Sequence, residues 1–242
     1  MRTAFQFAPV GVIHSCFREK FGIPRQPGLV PGLTARLQIH PPYDREEAFR
    51  GLEAFSHVWI LFVFHANLQQ PWRPMVRPPR LGGNRQVGVF ASRSPFRPNP
   101  LGLSVVALKG LERQGGRLEL ILGGGDFLDG TPVLDVKPYL PYADCPTQAH
   151  GGWADAMPPA TCEVSFTESA REACRDHGRR LGEDLEVLVR TLVSQDPRPA
   201  YKSNESNKQR FAMKLFDLDV EWIVENGHAR ILSLHPLSKD VP

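Results

Sequence analysis

The sequence predicts a mainly β chain, a barrel or sandwich of short strands followed by a smaller α+β part. Three observations carry this. Short β-branched, aromatic or alternating runs recur as far as Gly123, and Gly- and Pro-rich loops separate them. Beyond Thr161 the pattern changes to one strand, a helical stretch and a hairpin.

Pro9 to His14 (PVGVIH) and Leu33 to His40 (LTARLQIH) are β-rich, the second with apolar and polar residues alternating. Asp44 is a good N-cap for a short helix, Arg45 to Ala54, with Glu46 and Glu47 in its first turn. Val58 to Phe64 (VWILFVF) is too short for a lone helix and reads as a buried strand. Gln86 to Phe90, Leu103 to Lys109 and Arg117 to Gly123 continue the strand pattern. The loop Gln69 to Gly83 carries Pro71, Pro74, Pro78 and Pro79 and cannot be regular. Tyr139 to Pro159 reads as a connection between domains, which divides the chain into residues 1–145 and 146–242.

In the second part, Thr161 to Phe166 reads as a strand. Thr167 caps a helical stretch to about Val193, broken near Gly178 or Gly182, and Asp196-Pro197-Arg198-Pro199 stops it. Phe211 to Glu225 and His228 to His235 form a hairpin around Asn226-Gly227. Its alternation slips: Phe211, Met213 and Leu215 share one parity, and Phe216, Leu218, Val220, Trp222 and Val224 the other. A β-bulge near Leu215 would restore a common face.

The chain has 242 residues, 41% hydrophobic and 23% charged, as in an ordinary soluble domain or a domain with a companion. No apolar run approaches the roughly 20 residues of a membrane span. The N-terminus (MRTAFQFAPVGV) lacks a signal-peptide core, so the expected location is the cytoplasm. Cys16, Cys145, Cys162 and Cys174 form no CxxC pair, and the eight histidines no metal signature, so no metal is expected. Net charge is only +3, yet no Asp or Glu lies between Glu53 and Glu112. That interval carries Arg73, Arg77, Arg80, Arg85, Arg93, Arg97 and Lys109, a local positive field suited to phosphates.

Three motifs bear on chemistry. Gly123-Gly124-Gly125-Asp126 invites comparison with a dinucleotide-type loop, but Asp129-Gly130-Thr131-Pro132 follows where a helix should begin. Phe90 to Val106 (FASRSPFRPNPLGLSVV) is stiffened by Pro95, Pro98 and Pro100 and carries Arg93, Arg97 and Asn99. Such a loop suits a pre-ordered binding site and equally suits a plain connection. Asp129 to Tyr139 (DGTPVLDVKPY) places two carboxylates, a Lys and a Tyr within 11 residues. These fit ligand binding or proton transfer, or alternatively an Asx-turn and a solvated strand face.

Together with PVGVIHS near residue 9, FGIPRQPGL from Phe21, FSHVWILFVFHAN from Phe55 and QDPRPAY from Gln195, these blocks resemble, in order, the TsaA-like family of tRNA N6-methyltransferases, also called TrmO or YaeB. The resemblance implies a β-barrel-like, non-Rossmann N-terminal domain that binds S-adenosylmethionine (SAM), and a smaller α+β C-terminal domain. It implies a homodimer with SAM near the subunit interface. The implied product is N6-methyl-N6-threonylcarbamoyladenosine (m6t6A) at position 37, just 3′ of the anticodon of threonine tRNA. SAM contacts are expected from Pro24, Arg25 and Gln26, from His65 and Ala66, from Arg93 and Leu103, and from Asp129, Gly130, Thr131 and Pro132. Asp135 and Tyr139 are the candidates for accepting the proton. Arg85, Arg97, Lys137, Arg198, Tyr201 and Lys202 are the candidates for tRNA binding. A methyltransferase of this fold with another acceptor, and a non-catalytic SAM- or RNA-binding module, stay open as alternatives.

Overall fold

A computed structural model describes residues 4–157, 162–198 and 208–237. The chain divides into two compact units. The first comprises Met1–Ser15, Gln26–Val76 and Gln86–His150, and the second Cys16–Arg25, Arg77–Arg85 and Gly151–Pro242. The second unit thus takes two segments from the first half of the sequence.

The first unit contains β1 (Gly11–His14), β2 (Thr34–Ile39), β3 (His57–Val63), β4 (Met75–Val76), β5 (Val87–Gly88), β6 (Leu101–Gln114), β7 (Arg117–Gly123), β8 (Thr131–Pro138) and the one-turn helix α1 (Pro141–Asp144). Six strands close into a barrel in the order β1-β2-β7-β6-β3-β8, while β4 and β5 form a separate ladder. All neighbours in the barrel are antiparallel. Closure follows from the alternation. On β3, Val58, Ile60 and Phe62 are buried, and Trp59, Leu61 and Val63 are only partly so. Leu37, Ile60, Leu120, Leu122 and Val133 are fully buried in the barrel core. Each such side chain stabilises the fold by roughly 1.5–3 kcal/mol. The space is tight: a Cβ on Gly102 would lie 2.2 Å from the Phe62 ring across the β3–β6 pair.

Several expectations are corrected. Two 3-10 turns, Glu46–Phe49 and Leu52–Ala54, replace the helix from Arg45 to Ala54, and no side chain caps the first. Gly51 separates them at φ 89°, a left-handed conformation that no helix continues. The strand expected over Gln86–Phe90 shrinks to β5 and turns into the 3-10 segment Val89–Ala91. β6 is longer than expected, and a bulge at Lys109 lets it bend past β7.

The second unit contains β9 (Glu163–Phe166), α2 (Glu168–Leu181), α3 (Leu185–Ser194), β10 (Gln209–Leu215), β11 (Leu218–Glu225) and β12 (His228–Pro236). Its sheet order is β10-β11-β12-β9, with β9 parallel to β12. The Thr167 hydroxyl accepts from Ala170 N, an N-cap that contributes about 1 kcal/mol, and Gly182 ends α2. Asp184 caps α3 by accepting from Val187 N. Trp222 is fully buried, with the Phe21 and Phe211 rings each 5.9 Å from it.

The parity slip near Leu215 marks a turn, not a bulge. Leu215 pairs with Leu218, so Phe216-Asp217 is a two-residue connection. Across such a connection facing residues differ by an odd number, so buried positions must change parity. Phe216 sits at φ 57°, costly for a bulky side chain. The turn is held by Phe216 N donating to Cys16 O (2.6 Å) and Arg18 Nε donating to Phe216 O (3.1 Å). The Asn226-Gly227 turn is present, both residues at positive φ (50° and 77°), as a type I′ hairpin requires. The bulge of this sheet lies instead in β12, at Leu232, between the Trp222–Ile231 and Glu221–Ser233 pairs.

Candidate active site at one end of the barrel

Because neighbouring barrel strands are antiparallel, β1, β3 and β7 finish where β2, β6 and β8 begin. The registers Ile13–Thr131, Thr34–Gly123, Val63–Leu101 and Phe62–Val133 fix this common end. The connections 15–33, 64–100 and 124–130 all belong to it. Gln26 lies in the first, His65, Ala66 and Arg93 in the second, and Asp129 and Gly130 in the third. Leu103, Thr131 and Pro132 are early residues of β6 and β8. The fold therefore collects the first unit's SAM candidates from widely separated parts of the sequence. Phe64 N donates to Pro100 O (2.8 Å), closing the base of the long second connection.

A polar cluster occupies this end. Arg93 Nη1 donates to Gln26 Oε1 at 2.5 Å. Arg93 also attracts the Asp126 carboxylate electrostatically. Ser104, a buried residue on the inward row of β6, donates from Oγ to Asp126 Oδ1 at 2.8 Å. Desolvation pushes the Asp126 carboxyl above the usual carboxylate range, against the pull of Ser104 and Arg93. In the sequence Asp126 stands out only as the residue that follows the glycine run, and Ser104 not at all. Their signal was present: a serine on the inward parity of an apolar strand, and an acid directly after a strand-ending glycine run. That run has a structural role. Gly124, at φ 72°, donates to Leu33 O (2.9 Å) and accepts from Gly28 N (2.7 Å), tying β7 to the segment ahead of β2.

The DGTP turn is internally committed. Asp129 Oδ1 accepts from Ser15 N (2.9 Å), with His14 Nδ1 at 3.8 Å. Thr131 is buried, and its hydroxyl donates to Leu128 O (2.6 Å), so its side chain helps to build the turn. Gly130 is exposed and Pro132 partly so. Pro24 and Arg25 belong to the second unit. Pro24 is buried. Arg25 Nη2 donates to the carbonyls of Asp196 (3.3 Å) and Arg198 (3.2 Å), and burial lowers its pKa against the pull of Asp196.

The two proton-acceptor candidates part company. Asp135 pairs with Leu61, and Leu61 with Leu103, so all three share a row on the outer wall. Asp135 and Leu103 are thus about 10 Å apart across β3. A bulge at Leu134 precedes Asp135, whose Oδ2 lies 3.0 Å from Lys137 Nζ. Tyr139 lies at the opposite barrel end. Its N–H donates to His57 O (3.0 Å), and its ring lies 6.0 Å from that of Trp59. Eight residues of strand, about 25 Å, separate it from Thr131. Within one chain Tyr139 therefore does not join the Arg93 cluster. Desolvation, Cys145 and Asp144 also push its phenol above the usual value.

Among the tRNA candidates, Arg85 is exposed, in the second unit. Arg97 is partly buried and donates to Val89 O (3.1 Å) and Ser92 O (2.7 Å), anchoring its own loop. Lys137 is exposed beside Asp135. Arg198 is 4% exposed, and its guanidinium holds both Asp196 carboxylate oxygens at 2.6 and 2.8 Å, inside the second unit. Tyr201 and Lys202 lie outside the described residues.

Residues 12–145 match the tRNA-methyltransferase O N-terminal domain, and residues 159–237 the TrmO C-terminal domain. The chain is 46% identical to the tRNA (adenine(37)-N6)-methyltransferase of Escherichia coli K12, over 97% of this chain and 99% of that protein. It is 52% identical to a putative S-adenosylmethionine-dependent methyltransferase of Pseudomonas aeruginosa, over 89% of this chain and 90% of that one. A crystal structure of TrmO from Pseudomonas aeruginosa superposes with a TM-score of 0.80 at 43% identity, covering 96% of this chain and 99% of the other. Two domain matches in order, near full-length identity and a shared fold place the chain in the tRNA-methyltransferase O family.

Proposed function

We propose that this protein transfers a methyl group from SAM to N6 of threonylcarbamoyladenosine at position 37 of threonine tRNA, giving m6t6A. The Gln26–Arg93–Asp126–Ser104 cluster at the barrel end carries the reading. SAM supplies the methyl group as a sulfonium, and its amino-acid end is a zwitterion. The donor set fits that end. Arg93 presents a planar fork to a carboxylate, and Asp126 an acceptor to an ammonium. Leu103, 51% exposed on the wall above, offers apolar cover for an adenine ring.

For in-line methyl transfer the chain's main task is alignment of donor and acceptor. Gln26 fixes the Arg93 guanidinium, and Ser104 fixes the Asp126 carboxylate, so little reorganisation remains on binding. The acceptor nitrogen lies between a purine and a carbamoyl group and must lose a proton. Asp135, on the same outer row as Leu103, is the residue proposed to accept it. The outer wall also supports a homodimer: Leu101 and Leu103 are 38% and 51% exposed and flank Val63 and Leu61. A second copy covering that wall would bury them and bring other residues to the site. The reaction is placed in the cytoplasm because its substrate is tRNA; among the described residues no helix is long and apolar enough to cross a membrane.

Nucleoside mass spectrometry of threonine tRNA from a strain lacking the gene tests the reading. Loss of m6t6A with t6A retained is the expected result. Unchanged m6t6A sinks it, and loss of methylation on another RNA redirects it to a different acceptor.

A further inference from the structure

Phe90 is 74% exposed, while Val89 beside it is 1% exposed. The turn that carries the ring is firmly held. Val89 N donates to Pro74 O (3.0 Å), and Val89 O accepts from Ser92 N (3.2 Å), Ser92 Oγ (2.8 Å) and Arg97 Nη1 (3.1 Å). The Arg97 guanidinium also lies 5.5 Å from the Phe90 ring centroid. Phe90 is therefore a displayed ring on a fixed backbone, with a cation against it.

It is not an isolated exposed apolar residue of the kind every surface carries. The β4–β5 ladder pairs Met75, 47% exposed, with Gly88, two residues from Phe90. Trp72, 52% exposed, precedes Arg73, whose N–H donates to Phe96 O (3.0 Å) and whose guanidinium lies 4.1 Å from the Phe96 ring centroid. Two hydrogen-bonded stretches, 72–75 and 88–97, thus present Trp72, Met75 and Phe90 interleaved with Arg73 and Arg97. Both stretches fall in the interval that contains no Asp or Glu. Large open rings, fixed cations and no carboxylates match a partner with flat apolar faces joined by negative charge. Unpaired nucleotides have that chemistry.

We propose that Phe90 is a stacking platform for an unpaired base of the tRNA anticodon loop, with Trp72 as a second ring and Arg73 and Arg97 supplying the positive field. This rests on the tRNA reading above and names the surface that would receive the loop. A pre-positioned ring loses little conformational freedom on binding, so stacking appears almost fully in the affinity.

The test uses the full-length, SAM-loaded protein and an RNA stem-loop with the sequence of a threonine tRNA anticodon arm. Phe90→Ala should weaken RNA binding about tenfold or more at fixed salt. SAM affinity by calorimetry should stay unchanged, and Phe90→Trp should restore RNA binding. The slope of log Kd against log salt should be unaltered in Phe90→Ala and shallower in Arg73→Gln, since only the second removes a charge. Equal RNA affinity of Phe90→Ala and wild type overturns the platform. So does a shift of Phe90→Ala from dimer to monomer in sedimentation with RNA affinity intact, which would make the patch a contact between copies. Methylation of full-length tRNA by the wild type separates the failures. If the wild type methylates tRNA and Phe90→Ala binds it normally, the platform alone is wrong; if the wild type neither binds nor methylates tRNA, the function is wrong.

Discussion

Arg93 and Gln26 are 67 residues apart in sequence and meet through a hydrogen bond of 2.5 Å from Nη1 to Oε1. One edge of the guanidinium is thereby fixed, and its remaining donors stay available to a carboxylate. Arg93→Ala should lower SAM affinity at least tenfold, about 1.4 kcal/mol or more, by calorimetry. Arg93→Lys should recover only part of it, because an ammonium cannot reproduce the planar fork. Gln26→Leu keeps the charge but releases its alignment, so its loss should be smaller. Near-normal SAM binding by Arg93→Ala would place the cofactor elsewhere.

Asp126 links function to stability through pH. Its folded-state pKa lies above the ordinary carboxylate value because of burial. Between those two values the folded protein holds more protons than the unfolded chain, so stability falls as pH rises through that window. Asp126→Asn keeps an acceptor for the Ser104 hydroxyl and removes the titration. It should raise Tm at neutral pH, by roughly 2–4 °C for each kcal/mol regained, and flatten the pH dependence of stability in the weakly acidic range. It should also weaken SAM binding. Calorimetric scans from pH 4 to 8 check the first point and titration with SAM the second. An unchanged Tm profile would mean the carboxylate carries no cost.

How much of this was legible in the sequence depends on the range of the interaction. The strand pattern was readable because alternation is a local property, so β7 and the Asn226-Gly227 turn fall where the sequence places them. The Leu215 parity slip was also visible, but a bulge and a two-residue turn give the same slip. Only the Leu215–Leu218 pairing decides between them. Asp135 and Tyr139 looked equivalent because they lie only four positions apart. A strand turns that spacing into distance along its axis and carries Tyr139 to the far end of the barrel. Arg198 looked like a phosphate contact because its type and loop setting suggest one, while its burial depends on how the second unit packs. Ser104 and Asp126 are 22 residues apart, and only the β6–β7 register brings them together.

Arg198 makes a stability prediction that separates it from any RNA role. Its bidentate pair with Asp196, 4% and 11% exposed at the side chains, is withdrawn from solvent. Arg198→Ala leaves the Asp196 carboxylate buried without that partner, which typically costs about 3–5 kcal/mol. Urea unfolding should show a midpoint shift of that size. At a temperature where the variant is folded, the salt dependence of its RNA binding should match the wild type. A stable variant with a shallower salt slope would restore Arg198 to the RNA-binding surface.

The cysteines differ enough in setting to be titrated as a map of the fold. Cys145 is exposed, whereas Cys16, Cys162 and Cys174 are buried. Burial, with Glu186 and Asp184 nearby, pushes the Cys174 thiol up to about 11. At pH 8 that leaves on the order of one thiolate per thousand, and the thiolate is the reactive form. Burial, followed by the charge of Asp196, also pushes Cys162 up. An aromatic disulfide reagent should therefore modify Cys145 within minutes in the folded protein and reach the other three only at the rate of opening. Mass spectrometry of the labelled peptides identifies the site. Adding guanidinium should expose the three buried thiols, all of which belong to the second unit, in a single step. Fast labelling of Cys174 in native buffer would mean that α2 does not hold its buried face against the sheet.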